Sequence, residues 1–187
     1  MSTKPDAATR RRLLTLLPLA GLAPALWAQG STPKELLADW PAAHLQGQGK
    51  LRFLGLQVYD IRLWTHEPGL SADAWQRRPL ALEIEYARAF AGRNIAERSL
   101  EEMKRAGPVP PEVAERWLRT MAQVFPDVKA GDRIMGVHRP EGLSRFFHNG
   151  NPRGEVRDAE FTRRFFGIWL GEATSEPALR DSLLGRR

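Results

Sequence analysis

Leu80-Ala81-Leu82-Glu83-Ile84-Glu85-Tyr86-Ala87 alternates without a break. In an extended strand Leu80, Leu82, Ile84 and Tyr86 share one face, and Ala81, Glu83, Glu85 and Ala87 share the other. Upstream, Leu51 to Trp64 is rich in Leu, Phe, Val, Tyr, Ile and Trp but alternates imperfectly. That pattern predicts one long central strand covered on both faces. The connection from His66 to Arg78 carries Pro68, Gly69 and Ser71, and reads as a loop with a short helix near Trp75.

Downstream the period lengthens to that of a helix. One helix is predicted from about Arg93 to Arg105, stopped by Gly107-Pro108. A second opens at Pro110-Pro111 and carries Val113, Trp117, Met121, Val124 and Phe125 as an apolar stripe before Pro126. Strands follow at Asp132–Arg139 and Leu143–Asn149, and Asn149-Gly150 signals a hairpin into a third strand at Arg153–Val156. Asp158 can cap a helix running to Leu170, with large apolar residues on more than one side and hence deep burial. Ser175 and Pro177 open a last short helix to Leu184, ended by Gly185. Strands, a helix pair, a hairpin and terminal helices together argue an α+β fold with a mainly antiparallel sheet.

At the other end of the chain, Arg10, Arg11 and Arg12 precede an uncharged apolar stretch from Leu13 to Leu26, and Leu26-Trp27-Ala28 ends on a small residue. The stretch is shorter than the roughly 20 residues needed to span a bilayer, so residues 1–28 read as a cleavable signal. Thr9-Arg10-Arg11-Arg12-Leu13-Leu14 also fits a twin-arginine signal. Twin-arginine and general secretion both lead to a periplasmic or secreted protein. Residues 29–44, with a helical stretch around Glu35 to Ala38 and then Trp40-Pro41, form a lead-in segment, and residues 45–187 form the domain.

Composition narrows the function. The 187 residues carry a formal charge of +6, but four cations against Asp6 place about half of that excess in the signal. What remains is dispersed, unlike the clustered basic face of a nucleic-acid binder. The absence of cysteine excludes disulfides, thiolate metal sites, a catalytic thiol and lipoprotein anchoring, so no membrane anchor is expected after signal cleavage. His44, His66, His138 and His148 have no metal-ligand spacing, and His148 reads as a surface residue beside the hairpin turn. Gly47-Gln48-Gly49 has Arg52 where a dinucleotide fingerprint needs its third glycine and leads into a strand, so it reads as a structural turn. No cofactor and no metal are implied.

One helix mixes charge with apolar surface. Arg98 and Glu102 are spaced i, i+4 and share a face with Ile95. They form either a solvated ion pair or a pocket wall where Arg98 meets an anionic or carbonyl group.

Leu45-Gln46-Gly47-Gln48-Gly49-Lys50-Leu51, followed by Val58-Tyr59 and Leu63-Trp64, resembles the chalcone isomerase family in its bacterial exported branch. The likeness continues through Arg88-Ala89-Phe90-Ala91-Gly92 and ends at Ile168-Trp169-Leu170-Gly171-Glu172 and Ser175-Glu176-Pro177-Ala178-Leu179. It implies an antiparallel sheet with helices packed on one face and a smaller sheet beside it. It also implies a cleft, but the family's polar groups are largely replaced. The strand arginine falls at Leu51, the strand threonine near Leu54, the helix tyrosine at Ile95, the lysine at Arg98 and the asparagine at Glu102. The late threonine and its neighbour fall at Ile168 and Trp169. Ring-closing catalysis loses its charge stabilisation with such exchanges. Fatty-acid-binding relatives hold a carboxylate with the same arginine and tyrosine, also absent here.

The resulting expectation is an exported, non-catalytic protein binding a small apolar or amphipathic molecule. Its ligand site would be Leu51, Leu54, Ile95, Arg98, Glu102, Ile168 and Trp169, with Arg98 as the polar handle and Trp169 as an aromatic wall. The alternatives are an isomerase or intramolecular lyase with a rebuilt site of Arg98, Glu102 and Tyr59, and an interaction domain whose cleft is closed core.

Overall fold

The alternating stretches pair in the order in which they are written. In the computed structural model, which describes residues 32–186, β1 (His44–Phe53), β2 (Leu56–Thr65), β3 (Leu80–Tyr86), β4 (Arg133–Arg139), β5 (Leu143–His148) and β6 (Asn151–Arg157) form one antiparallel sheet in that order. α1 (Lys34–Leu37) precedes it, α2 (Gly92–Lys104) and α3 (Pro111–Val124) separate β3 from β4, and α4 (Ala159–Leu170) and α5 (Pro177–Leu183) close the chain. This is the α+β arrangement that the order of elements predicts. The signal assigned to residues 1–28 lies outside the described residues. Outside the sheet, the described residues show one isolated bridge, Phe90 with Val128, where the resemblance implied a smaller second sheet.

The run Leu51–Trp64 is not one strand. Phe53 pairs with Leu56, and Leu54-Gly55 makes a two-residue turn with φ of 49° and 79°. Asn149-Gly150 turns β5 into β6 with almost the same angles, 50° and 79°. Positive φ at both central residues defines the turn that matches the twist of a hairpin, and Asn-Gly supplies it at little cost. Leucine does not announce such a turn. The clue that was available is length, because a strand over that whole run would exceed the usual limit of about 10 residues.

The sheet is covered on both faces. Ile61, Leu63, Leu80, Leu82, Ile84 and Phe146 meet α2, α3, α4 and α5 in the main core. On the other face Leu36 and Trp40 of the lead-in segment pack on Trp64, Ala81, Met135 and Val137. Residues 29–44 thus include a piece of the second layer. Glu83, on that face, is buried and held: Trp64 Nε1 donates to it at 2.7 Å and Arg133 at 2.8 Å. Arg133 also pairs with Glu35 of α1 at 2.9 Å, so the buried charges are matched.

Gly47 and Gly49 lie within β1 and form no turn. A Cβ at Gly47 would land on the carbonyl oxygens of Ser182 and Leu183, and one at Gly49 on the Leu179 side chain. The bare strand lets α5 lie directly on the sheet. Gly47→Ala is therefore expected to destabilise the fold by about 1–3 kcal/mol through overpacking against backbone that cannot move aside. Urea unfolding checks this, and an unchanged midpoint contradicts the close approach.

Candidate functional site

β2 places Tyr59 opposite Leu51 of β1 and Tyr86 of β3. Above it stands the last turn of α4. Asp158 caps that helix by accepting the Phe161 N–H at 3.0 Å, and it also accepts Trp117 Nε1 from α3 at 2.9 Å. Phe161, Phe165 and Phe166 then anchor the helix in the core, and Phe165 meets Trp169 edge-on at 5.6 Å. Held this way, Trp169 Nε1 donates to the Tyr59 hydroxyl at 2.9 Å. The Tyr59 and Tyr86 rings meet edge-on at 6.1 Å.

α2 supplies the charged wall. Ala96, Leu100 and Met103 bury its inner stripe, leaving Ile95 half-buried and Arg98 outward with 67% of its side chain exposed. Arg98 binds Glu101 at 3.2 Å and is hydrogen-bonded to Glu102 Oε1. The Glu102 side chain is only 9% exposed, and its Oε2 is buried without a hydrogen-bond partner among the described residues. Arg105 Nε approaches that oxygen no nearer than 3.6 Å. A buried carboxylate oxygen left unsatisfied is costly, on the order of 1–3 kcal/mol or more for a charged group.

Burial pushes the Tyr59 phenol from its ordinary value of 10 up to about 12. The Trp169 hydrogen bond works against that shift, while the nearby charges of Glu176 and Glu102 reinforce it and Arg98 opposes it. Tyr59 thus stays protonated at any ordinary pH, its oxygen accepting from Trp169 and its O–H left available to donate. Burial likewise raises the Tyr86 phenol, further than that of Tyr59.

The structure therefore joins Tyr59 to Trp169 and sets Glu102, Glu176 and Arg98 near enough for their charges to act on the phenol, and Leu51, Ile95 and Ile168 pack half-buried against the same core. Leu54 does not belong with them. It sits at the β1–β2 turn, 87% exposed, because the expected continuous strand is a hairpin. Arg98 departs from the expected polar handle, since two carboxylates already neutralise it. Glu176, just before α5, was not singled out in the sequence, where it reads only as part of a loop ahead of a helix. Two clefts among the described residues lie elsewhere: about 220 Å³ beside Val109, Val113, Trp117 and Asp158, and about 370 Å³ beside Trp75, Arg163 and Arg180. His138 is buried against Trp75 and Phe166, where burial pulls its imidazole down to about 4.

The model of the chalcone isomerase-like family matches residues 32–185. The chain belongs to the chalcone isomerase-like family. Among solved structures, a fatty-acid binding protein of Arabidopsis thaliana is similar with a TM-score of 0.56 and 15% identity, over 76% of this chain and 86% of that one. At that identity the likeness speaks for the fold. No curated protein matches. The family match takes in most of the lead-in segment, consistent with α1 and Trp40 packing on the back of the sheet.

Only two tyrosines occur in the chain, so an alkaline titration reads this family member's core cleanly. Because folding raises the Tyr59 value, its contribution to stability is complete below pH 10 and is lost as pH rises toward about 12. Phenolate absorbance should stay absent at pH 10 in the folded protein and appear with unfolding at higher pH. Half-ionised tyrosine at pH 10 in the native state contradicts the burial.

Proposed function

We propose that the chain is an exported, non-catalytic binder of a small amphipathic molecule with a neutral hydroxyl-type head. The single observation behind this reading is the pairing of an orphaned acceptor with a spare donor. Glu102 Oε2 accepts no hydrogen bond among the described residues and has only the longer ion pair to Arg105 Nε at 3.6 Å, while the Tyr59 hydroxyl accepts from Trp169 and donates to no group among the described residues. A hydroxyl can donate to the first and accept from the second. An ionised carboxylate can only accept, and it would face the charges of Glu102 and Glu176. The apolar part would lie along Leu51, Ile95 and Ile168 against the Trp169 wall, a mostly apolar site with few convergent polar groups.

The same groups weigh against the rebuilt isomerase. A general base needs a value near working pH, and the Tyr59 phenol lies far above it. Electrostatic stabilisation needs an uncommitted cation, and Arg98 is committed to Glu101 and Glu102. The structural likeness to a fatty-acid binding protein supports binding as the coarse function. The closed-cleft reading has one observation of its own: the Trp169–Tyr59 bond ties α4 to β2 at the expected site, and the two clefts described above lie elsewhere.

Tryptophan fluorescence titrated with a long-chain alcohol, the matching fatty acid, a flavonoid and a quinone separates these readings. The alcohol should bind more tightly than the ionised acid. Glu102→Gln should weaken the alcohol about tenfold, since a hydrogen bond to a charged group is worth roughly 1.5–3 kcal/mol, and narrow its advantage over the acid. Silence for every compound sinks the binding reading in favour of the closed cleft. For export, expression of the full chain in a bacterium should give a periplasmic or secreted product starting near Gln29, by intact mass. An uncut cytoplasmic chain refutes it.

A further inference from the structure

The end of the β1–β2 hairpin is apolar where it meets water. Phe53, Leu54 and Leu56 are 68%, 87% and 55% exposed and flank the turn glycine Gly55. Neither the core nor the turn accounts for them. Leu54 holds a φ of +49°, a conformation that favours glycine or asparagine, and the β5–β6 hairpin meets the same demand with Asn149. A residue that breaks the local rule and buries nothing is the expected mark of a functional position.

Two cations collar this tip. Arg52 adjoins Phe53, and the Ala87 N–H donates to the Val58 carbonyl at 3.0 Å, which brings Arg88 to the same end of the sheet. Both arginines are exposed, and neither forms an ion pair among the described residues. We propose that this tip docks the protein reversibly on an anionic lipid surface. Phe53, Leu54 and Leu56 would enter the boundary between headgroups and acyl chains, and the two guanidinium groups would sit at phosphate level. A protein partner fits less well. Three side chains on a narrow turn offer far less than the roughly 800 Å² per partner of a stable interface, whereas a bilayer accepts a narrow wedge. The turn's backbone is already paired within the hairpin, so the wedge carries side chains rather than open strand edges into the lipid.

This proposal goes beyond the ligand site and stands independently of it, although the Leu51–Tyr59 pair lies only a short way down the same hairpin. The test is flotation of residues 29–187 with vesicles of phosphatidylcholine, with and without phosphatidylglycerol. Binding should require phosphatidylglycerol and fall with added salt. Leu54→Asn should cut partitioning about tenfold while leaving the fold as stable or more so, because it supplies the preferred turn residue. The pair Arg52→Gln and Arg88→Gln should abolish the preference for phosphatidylglycerol, and Glu102→Gln should bind vesicles like the unaltered chain, which separates failure here from failure of the ligand reading. The proposal is overturned if the unaltered chain does not float, or if Leu54→Asn floats equally well. It is also overturned if Leu54→Asn converts a dimer to a monomer without changing flotation, since the tip would then serve a second copy.

Discussion

The seating of α4 on the sheet fixes everything that could be called a site. Phe161, Phe165 and Phe166 are buried on that helix; Phe161 and Phe165 meet Phe146 of β5 edge-on, Phe165 lies tilted against Phe125 just past α3, and Phe166 meets Phe165 edge-on. Each buried phenylalanine contributes about 1.5–3 kcal/mol, and the aromatic geometry adds to it. Gly136 in β4 clears the space, because a Cβ there would already touch both Phe146 and Phe166. With its start tied to α3 through Asp158, the helix can end in only one place. The Trp169 indole therefore meets Tyr59, and the place where α4 lies over β2 acquires a polar pair.

On the proposed reading the site around that pair binds a ligand and does not catalyse. Its phenol is neutral, its guanidinium is spent on two neighbouring carboxylates, and its buried carboxylate oxygen accepts no hydrogen bond among the described residues. Under that reading the directional hydrogen bonds of these groups recognise the shape and polarity of a ligand. The family fold supplies the scaffold, and exchange of a few side chains changes what the scaffold can do.

Much of this was legible in the residues because local and global preferences agree. The alternation of Leu80 to Tyr86 is β3, Asp158 caps α4 as its side chain invites, and Asn149-Gly150 turns the hairpin. Four features escaped for identifiable reasons. Leu54-Gly55 makes the same turn with a residue that opposes it, so pattern alone extends the strand. The buried setting of Glu83 is hidden because alternation assigns it a face but cannot reveal that Trp64, Arg62 and Arg133 surround it. Gly47 and Gly49 gain their meaning only from α5, a helix remote in sequence. The spacing of Arg98 and Glu102 was visible, but which of the two turns inward depends on packing against β2 and α4.

The indole N–H of Trp169 is the most direct reporter of the central claim, that ligand recognition occurs around Tyr59 and Glu102. In nitrogen–proton correlation spectra of the domain, a long-chain alcohol should shift that indole resonance and the backbone amides of α2 near Glu102 before others. Shifts confined to the cleft beside Val113 and Asp158, with the Trp169 indole unmoved, would contradict the account.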